Sequence, residues 1–285
     1  MTLIVGIKCV DGVVIAADTA AEIPSESGIG TIHEMHKIQV SDDPCHALGV
    51  AGTAGLSQIY GLATRNALRE IASLSVFDPI QAMILVRKHL IGVVRDELGA
   101  EHTRAEFEGR PPDFQDSAGH ALIAVCVSGE ACLYHYSDKI QGYHVGHESP
   151  YHIIGDGSGA AIPFLQYLRL EFLHNESPNI TEGVMAALWT VRYAIRVKHR
   201  SVGGDVQMVT LSNAGELKEL DAAEIAETKE LIGMAEQSMY ELKRKIRGLS
   251  DQPTELPKPP VSSSAQEPKD GRSPASQPSA PITRI

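Results

Sequence analysis

The order of strand-like and helix-like segments is the feature that most narrows the fold of this 285-residue chain. Two short β-rich runs, at residues 3–8 and 13–17, are joined by Asp11-Gly12, a dipeptide that favours a tight hairpin. A second pair of strand-like runs follows, and apolar residues then recur at helical spacing from Gly55 onward. Paired strands followed by helices indicate antiparallel sheets, because parallel strands need a crossover between each pair.

The next helix has a clear start signal. Asp78 is a suitable N-cap and Pro79 suits the first helical position, so the pattern predicts a helix from Pro79 to Leu98. Residues 99–117 are polar and lack a clear period, which predicts a surface loop. Further strands, two helices, two strands and a final helix complete the chain. This order predicts an α+β fold, and a four-layer αββα sandwich of two antiparallel sheets flanked by helices satisfies it.

The two ends of the chain differ in composition. Residues 251–285 are dominated by Pro, Ser, Lys and Gln, and they offer almost no apolar surface to bury. Such a segment cannot offset its ordering entropy, so we expect a disordered tail. Residues 1–250 are then expected to form one layered domain.

Charge and hydropathy exclude several classes of function. The formal net charge of −11 argues against a nucleic-acid-binding protein, which would carry a basic face. The apolar runs are too short to span a bilayer, and the first residues lack the features of a signal peptide. The sequence therefore predicts a cytoplasmic protein without a membrane partner.

Metal and cofactor chemistry is not indicated either. The four cysteines contain no C-x-x-C pair. Histidines occur in pairs at His33/His36 and His144/His147, but neither pair has a third ligand at the spacing of a known metal motif. We expect no metal site and no cofactor.

The first two residues carry the strongest chemical signal. Removal of Met1 would leave a free α-amine on Thr2, the residue that opens the first predicted strand. A threonine hydroxyl needs a base to become a nucleophile, and an N-terminal threonine carries that base in its own amine. The unperturbed pKa of an α-amine, roughly 7.7–8.0, suits general-base catalysis near neutral pH.

Five segments together resemble the proteasome β-type subunits, within the bacterial proteasome-like N-terminal-nucleophile (Ntn) hydrolases. They occur in the order and spacing of that family and cover roughly residues 2 to 235. The segments are the strand pair from Thr2 to Asp18, Met-His-Lys-Ile around Lys37, Val50-Ala-Gly-Thr-Ala54, Gly155-Asp-Gly-Ser-Gly159 and Val202-Gly-Gly-Asp-Val206.

The resemblance implies a role for each matching residue. Thr2 would supply the attacking oxygen, and Lys37 would place a positive charge beside the amine and the developing oxyanion. Asp18 would pair with Lys37 and keep it charged. The backbone N–H of Gly52 would donate to the oxyanion, and Ser158 would bond near the α-amine. From the residues alone, Ser158 could equally be a helix N-cap.

The sequence departs from the family pattern at one place. Just before its Gly-Gly element the family carries an Asp and then a Ser that support the amine. Here His199 and Val202 stand at those positions, and Ser201 could replace the serine if the turn differs by one residue. His199 and Ser201 are therefore both candidates for this role.

The implied function is a threonine-type endopeptidase that forms an acyl-enzyme on Thr2. Subunits of the family assemble into rings, so the resemblance implies copies of this chain as partners, a polypeptide substrate and an unfolding ATPase as a candidate partner. Two alternatives stay open. One is an amidase or acylase for a small amide with the same nucleophile, and the other is a structural ring subunit without activity.

Overall fold

Twelve strands and five helices form the part of the chain that a computed structural model describes, which comprises residues 2–23, 31–75, 78–111, 118–146, 148–197 and 202–246. The strands are β1 (Ile4–Lys8), β2 (Gly12–Asp18), β3 (Ala20–Ile23), β4 (Thr31–Glu34), β5 (Ile38–Asp42), β6 (Cys45–Ala51), β7 (His120–Val127), β8 (Glu130–Tyr136), β9 (Gly142–Val145), β10 (Tyr151–Ile154), β11 (Val206–Ser212) and β12 (Leu217–Glu219). The helices are α1 (Ala54–Ser73), α2 (Pro79–Glu108), α3 (Ser158–Glu171), α4 (Ile180–Val197) and α5 (Ala222–Ile246).

The strands form two five-stranded antiparallel sheets and a small β3–β4 pair. The first sheet has the order β10-β1-β2-β11-β12, and the second has the order β5-β6-β7-β8-β9. The predicted hairpin is confirmed, because β1 pairs with β2 around Asp11-Gly12. It places Asp18, the last residue of β2, next to the start of β1.

Apolar side chains fill three layers between four layers of secondary structure. Ile15 of β2 packs between the sheets together with Leu133 of β8. Its neighbour Val14 points to the opposite face and packs with Trp189 of α4. On the far side, Tyr60 of α1 belongs to the core between the second sheet and helices α1 and α2. Burying a large apolar side chain stabilises the fold by roughly 1.5–3 kcal/mol. The predicted four-layer αββα sandwich is therefore confirmed.

Helix α2 has the predicted start but a different end. Asp78 caps it by accepting a hydrogen bond from Ile80 N at 2.9 Å, as expected. The helix does not stop at Leu98, however, and the prediction of a loop over all of residues 99–117 is wrong. It continues to Glu108 because Ala105 is fully buried and residues 80–110 contain no proline that would break the helix. Gly109, with a φ of 66°, ends it in the left-handed region.

The chain divides into two compact units, Met1–Ser238 and Met239–Ile285. The described part of the second unit is the end of α5, residues 239–246. The tail predicted at 251–285 lies outside the described residues, so its disorder stays a prediction. No helix in the described ranges combines the length and the hydropathy needed to cross a bilayer.

Candidate active site

Three of the residues proposed from the sequence line one cleft with a volume of about 490 Å³. Thr2 precedes β1, Gly52 follows β6, and Ser158 is the first residue of α3. Gly157, not Ser158, occupies the N-cap position of α3, so the helix-cap alternative for Ser158 does not describe this structure. Both sheets thus contribute to the walls around the predicted nucleophile.

Backbone hydrogen bonds hold the start of the chain in this cleft. Leu3 N donates to Asp18 Oδ1 at 2.8 Å, and Asp18 N donates back to the Leu3 carbonyl at 3.2 Å. Gly157 N donates to the Thr2 carbonyl at 3.4 Å. Gly155 has a φ of 93°, and a Cβ at this position would overlap the Thr2 carbonyl oxygen. Glycine at 155 is therefore needed for both reasons.

Asp18 and Lys37 do not line the cleft but form a buried ion pair that is hydrogen-bonded to Leu3, the residue after Thr2. Lys37 Nζ lies 2.7 Å from Asp18 Oδ1, and the two residues are 8% and 0% exposed. The same oxygen accepts from Leu3 N, while Asp18 Oδ2 accepts from Gly203 N at 3.0 Å. Lys37 Nζ and Leu3 N, the amide next to Thr2, therefore donate to the same oxygen of Asp18.

Opposing effects set the charge state of Lys37. Burial lowers the pKa of Lys37 below its ordinary value of 10.5, whereas the carboxylates of Asp18 and then Asp156 raise it. The ion pair and its hydrogen bond thus favour the ammonium form inside a site that disfavours charge. A cation held in this way can stabilise negative charge that develops nearby.

Gln207 positions Lys37 and was not identified from the sequence. Its Oε1 accepts from the backbone N–H groups of Lys37 and Ile38, at 3.0 and 2.9 Å. Its Nε2 donates to the Ile38 carbonyl at 2.9 Å and to Glu219 Oε1 at 3.0 Å. The signal available was a glutamine inside the apolar run of β11, since a buried amide must find hydrogen-bond partners.

The turn that carries Gly52 packs tightly against a second glycine. A Cβ at Gly119 would lie 2.6 Å from the Ala51 carbonyl oxygen, and a Cβ at Gly52 would lie 3.1 Å from Leu56 Cδ1. Tyr60, buried in the core, accepts a hydrogen bond from Gly119 N at 3.3 Å. This backing fixes the exposed backbone of Gly52 beside Thr2 in the cleft wall.

Two of the predicted site residues cannot be placed. His199 and Ser201 lie outside the described residues, so the identity of the group that supports the α-amine stays a prediction. The catalytic roles of Thr2, Asp18 and Lys37 also stay predictions. Hydrogen bonds nevertheless connect Lys37 to Asp18 and Asp18 to Leu3, the residue after Thr2.

Three histidines that the sequence reasoning did not single out also line the cleft. His120, His135 and His152 come from β7, β8 and β10, so they are brought together from both sheets. Burial, together with the neighbouring imidazoles of His152 and His120, lowers the pKa of His135 to about 3. In the described residues, no group of three or more His, Cys, Asp or Glu side chains is arranged to hold a metal ion.

Comparisons with known proteins support the fold. No protein-family model matches the chain, and no curated protein matches it. Among solved structures, an Anbu (Gly-1) mutant from Hyphomicrobium sp. strain MC1 is 17% identical with a TM-score of 0.61, over 87% of this chain and 100% of that chain. Anbu (ancestral beta-subunit) from Yersinia bercovieri is 14% identical with a TM-score of 0.59, over 84% of this chain and 96% of that chain.

These matches correct one expectation and support another. The assignment to the proteasome β-type subunits is wrong, because the matching structures are Anbu proteins, a proteasome-related but distinct group. Identities below a fifth establish the fold alone. The chain has the Ntn-like fold that these Anbu structures share with proteasome subunits.

Proposed function

We propose that this chain is an N-terminal-nucleophile hydrolase of the threonine-peptidase type, with Thr2 as its nucleophile once Met1 is removed. The observation that carries this proposal is the set of bonds that joins the start of the chain to the buried pair. Asp18 Oδ1 accepts from both Leu3 N and Lys37 Nζ, so one carboxylate oxygen links the backbone beside the nucleophile to a buried cation.

The proposed reaction uses groups that line or adjoin the cleft. Thr2 Oγ1 attacks the carbonyl carbon of a peptide bond while the α-amine of Thr2 takes the hydroxyl proton. The carbonyl oxygen becomes an oxyanion, which the N–H of Gly52 and the charge of Lys37 stabilise. The C–N bond then breaks, the proton passes from the α-amine to the leaving amine, and an ester on Thr2 remains.

Water completes the cycle in the second half of the reaction. The α-amine takes a proton from a water molecule, whose oxygen attacks the ester carbon. The C–O bond to Thr2 breaks, the proton returns to Thr2 Oγ1, and the product leaves as a carboxylic acid. Ser158, at the cleft wall, is proposed to hydrogen-bond near the amine, together with His199 or Ser201.

We further propose that the enzyme works as a self-assembled ring in the cytoplasm, on polypeptides that an ATPase partner unfolds. One matching structure is described as an ancestral beta-subunit, which supports a role as a subunit of an assembly. A small amide is the competing substrate class, and a cleft of about 490 Å³ is large enough for either.

Turnover by purified variants tests the chemistry. Thr2→Ala removes the hydroxyl and should abolish hydrolysis of fluorogenic peptides, whereas Thr2→Ser keeps a hydroxyl and should retain part of the rate. Thr103→Ala is the matched control, because the exposed Thr103 hydroxyl donates to the Gly99 carbonyl of its own helix. Normal peptide turnover by Thr2→Ala would overturn the proposal. Turnover of small acyl amides but not peptides would replace the peptidase by an amidase.

A further inference from the structure

The cleft has a second wall that the proposed chemistry does not use. We call His120, His135 and His152 the histidine column. The ring centroids of His135 and His152 lie 3.7 Å apart with an interplanar angle of 22°. The rings of His120 and His135 are nearly parallel at 6°, with 3.3 Å between His120 Nδ1 and His135 Nε2. The column thus lines the cleft, together with Thr2, with three imidazole rings that come from strands of both sheets.

Positive charge is disfavoured on two rings of the column, His135 and His152. Burial lowers the pKa of both His135 and His152. The imidazole of His120 also lowers both values, and that of His152 contributes to the lowering at His135. Two protonated rings at the His135–His152 spacing would also repel each other strongly. A neutral imidazole keeps one ring nitrogen with a lone pair, and the contact between His120 and His135 occupies one lone pair of those two rings. His152 keeps its acceptor for a ligand, beside the flat ring faces.

A carboxylate adds negative charge to the same cleft. Asp156 is exposed and lines the cleft with the column. Its charge also raises the pKa of Lys37, which places it near the buried pair. A carboxylate has about four lone-pair positions, so a further donor from a substrate can be accommodated. The chain as a whole carries a net charge of −11, a field that attracts cations and repels anions.

We propose that Asp156 and the histidine column form a subsite for a cationic side chain, lysine or arginine, of the substrate. This inference rests on the proposed function, and it names the substrate class of the same cleft. A guanidinium or ammonium group would donate to the Asp156 carboxylate and to the acceptor nitrogen of His152, and a planar guanidinium would also stack on the rings. A substrate carboxylate would instead meet Asp156 and the imidazoles of His135 and His152, whose protonation burial disfavours.

Binding to an inactive protein tests the subsite separately from turnover. The probe is a set of fluorescein-labelled octapeptides of alanine and norleucine, in which each position in turn carries arginine, lysine, glutamate or norleucine. Fluorescence anisotropy with the assembled Thr2→Ala protein at pH 8 should reveal one position at which arginine or lysine binds about five- to tenfold more tightly than norleucine. Glutamate at that position should bind more weakly than norleucine.

Paired variants locate the preference. Asp156→Asn in the Thr2→Ala background should remove most of the cation preference, and Asp96→Asn, an exposed carboxylate on α2, should leave it intact. His152→Gln should weaken the preference for arginine more than that for lysine, because only the guanidinium stacks. His102→Gln, at an exposed helix position, is its control.

The outcomes separate this inference from the proposed function. No position with a cation preference, a preference for glutamate, or a cation preference that survives Asp156→Asn would each overturn the subsite. Peptide turnover without cation preference would overturn the subsite alone. Cation preference in binding, with no hydrolysis of any peptide by the unmodified protein, would overturn the peptidase and leave the subsite standing.

Discussion

Asp18 Oδ1 accepts hydrogen bonds from both Lys37 Nζ, at 2.7 Å, and Leu3 N, at 2.8 Å, in a position where the aspartate is fully buried. One oxygen thereby connects the ion pair to the residue that follows the predicted nucleophile. Because a buried charge that loses its partner is costly, the pair should matter for stability as well as for chemistry.

Removing one member of the pair should destabilise the fold. We expect Asp18→Asn to lower the free energy of unfolding by about 3–5 kcal/mol, because Lys37 keeps a buried charge without its partner. Urea denaturation followed by circular dichroism measures the change. Lys37→Met added to Asp18→Asn should recover part of the loss. Glu224→Gln, in the exposed Lys218–Glu224 pair, should have little effect. Equal stability of Asp18→Asn and Glu224→Gln would contradict this account.

The charge of Lys37 predicts an alkaline limit to activity. Burial lowers the pKa of Lys37 below 10.5, so the ammonium should lose its proton as the pH rises through that lower value. We expect kcat/KM to fall with it. Asp156 raises this pKa, so Asp156→Asn should move the alkaline limb to lower pH. The profile of kcat/KM against pH for an uncharged peptide measures both effects. An alkaline limb that moves to higher pH in Asp156→Asn would refute the assignment.

Gly155 provides a test of how the nucleophile is positioned. Gly155→Ala would force a Cβ onto the Thr2 carbonyl in a backbone conformation with a φ of 93°. We therefore expect Thr2 to lose its reactivity while the rest of the fold persists. Gly92→Ala is the matched control, since a Cβ at that helical position meets nothing within 4 Å. It should stabilise the protein by about 0.5–1 kcal/mol. Unchanged reactivity of Thr2 in Gly155→Ala would show that this contact is not needed.

Features that depend on adjacent residues could be predicted from the sequence, whereas contacts between distant residues could not. The hairpin at Asp11-Gly12 and the cap at Asp78 were predictable, because each depends on a few adjacent residues. The end of α2 was not, since the burial of Ala105 depends on tertiary packing. Gln207 and His152 reach the site through strand pairing, which no local pattern encodes.

The resemblance of the sequence to the proteasome β-type subunits predicted the fold but not the family. The motifs around Thr2, Lys37 and Gly52 predicted the fold because they build its central strand pairs and turns. The structures that match are Anbu proteins, so the family assignment made from these motifs was wrong. The structural matches overturned the family assignment and supported the predicted fold.

Assembly is a further prediction. Native mass spectrometry should show a large homo-oligomer, and a chain shortened by removal of residues 251–285 should assemble equally well. The physical reason is that this segment has almost no apolar side chains to bury in an interface. A stable monomer at micromolar concentration would contradict the proposed ring. Loss of assembly on truncation would instead give the tail a structural role.

The central claim is that the mature chain begins with a reactive Thr2. Intact mass after treatment with a peptide epoxyketone, followed by peptide mapping, tests it most directly. We predict a chain that has lost Met1 and carries one adduct, located on Thr2 and absent from Thr2→Ala. Retention of Met1, a blocked amine, or an adduct at any other residue would contradict the account.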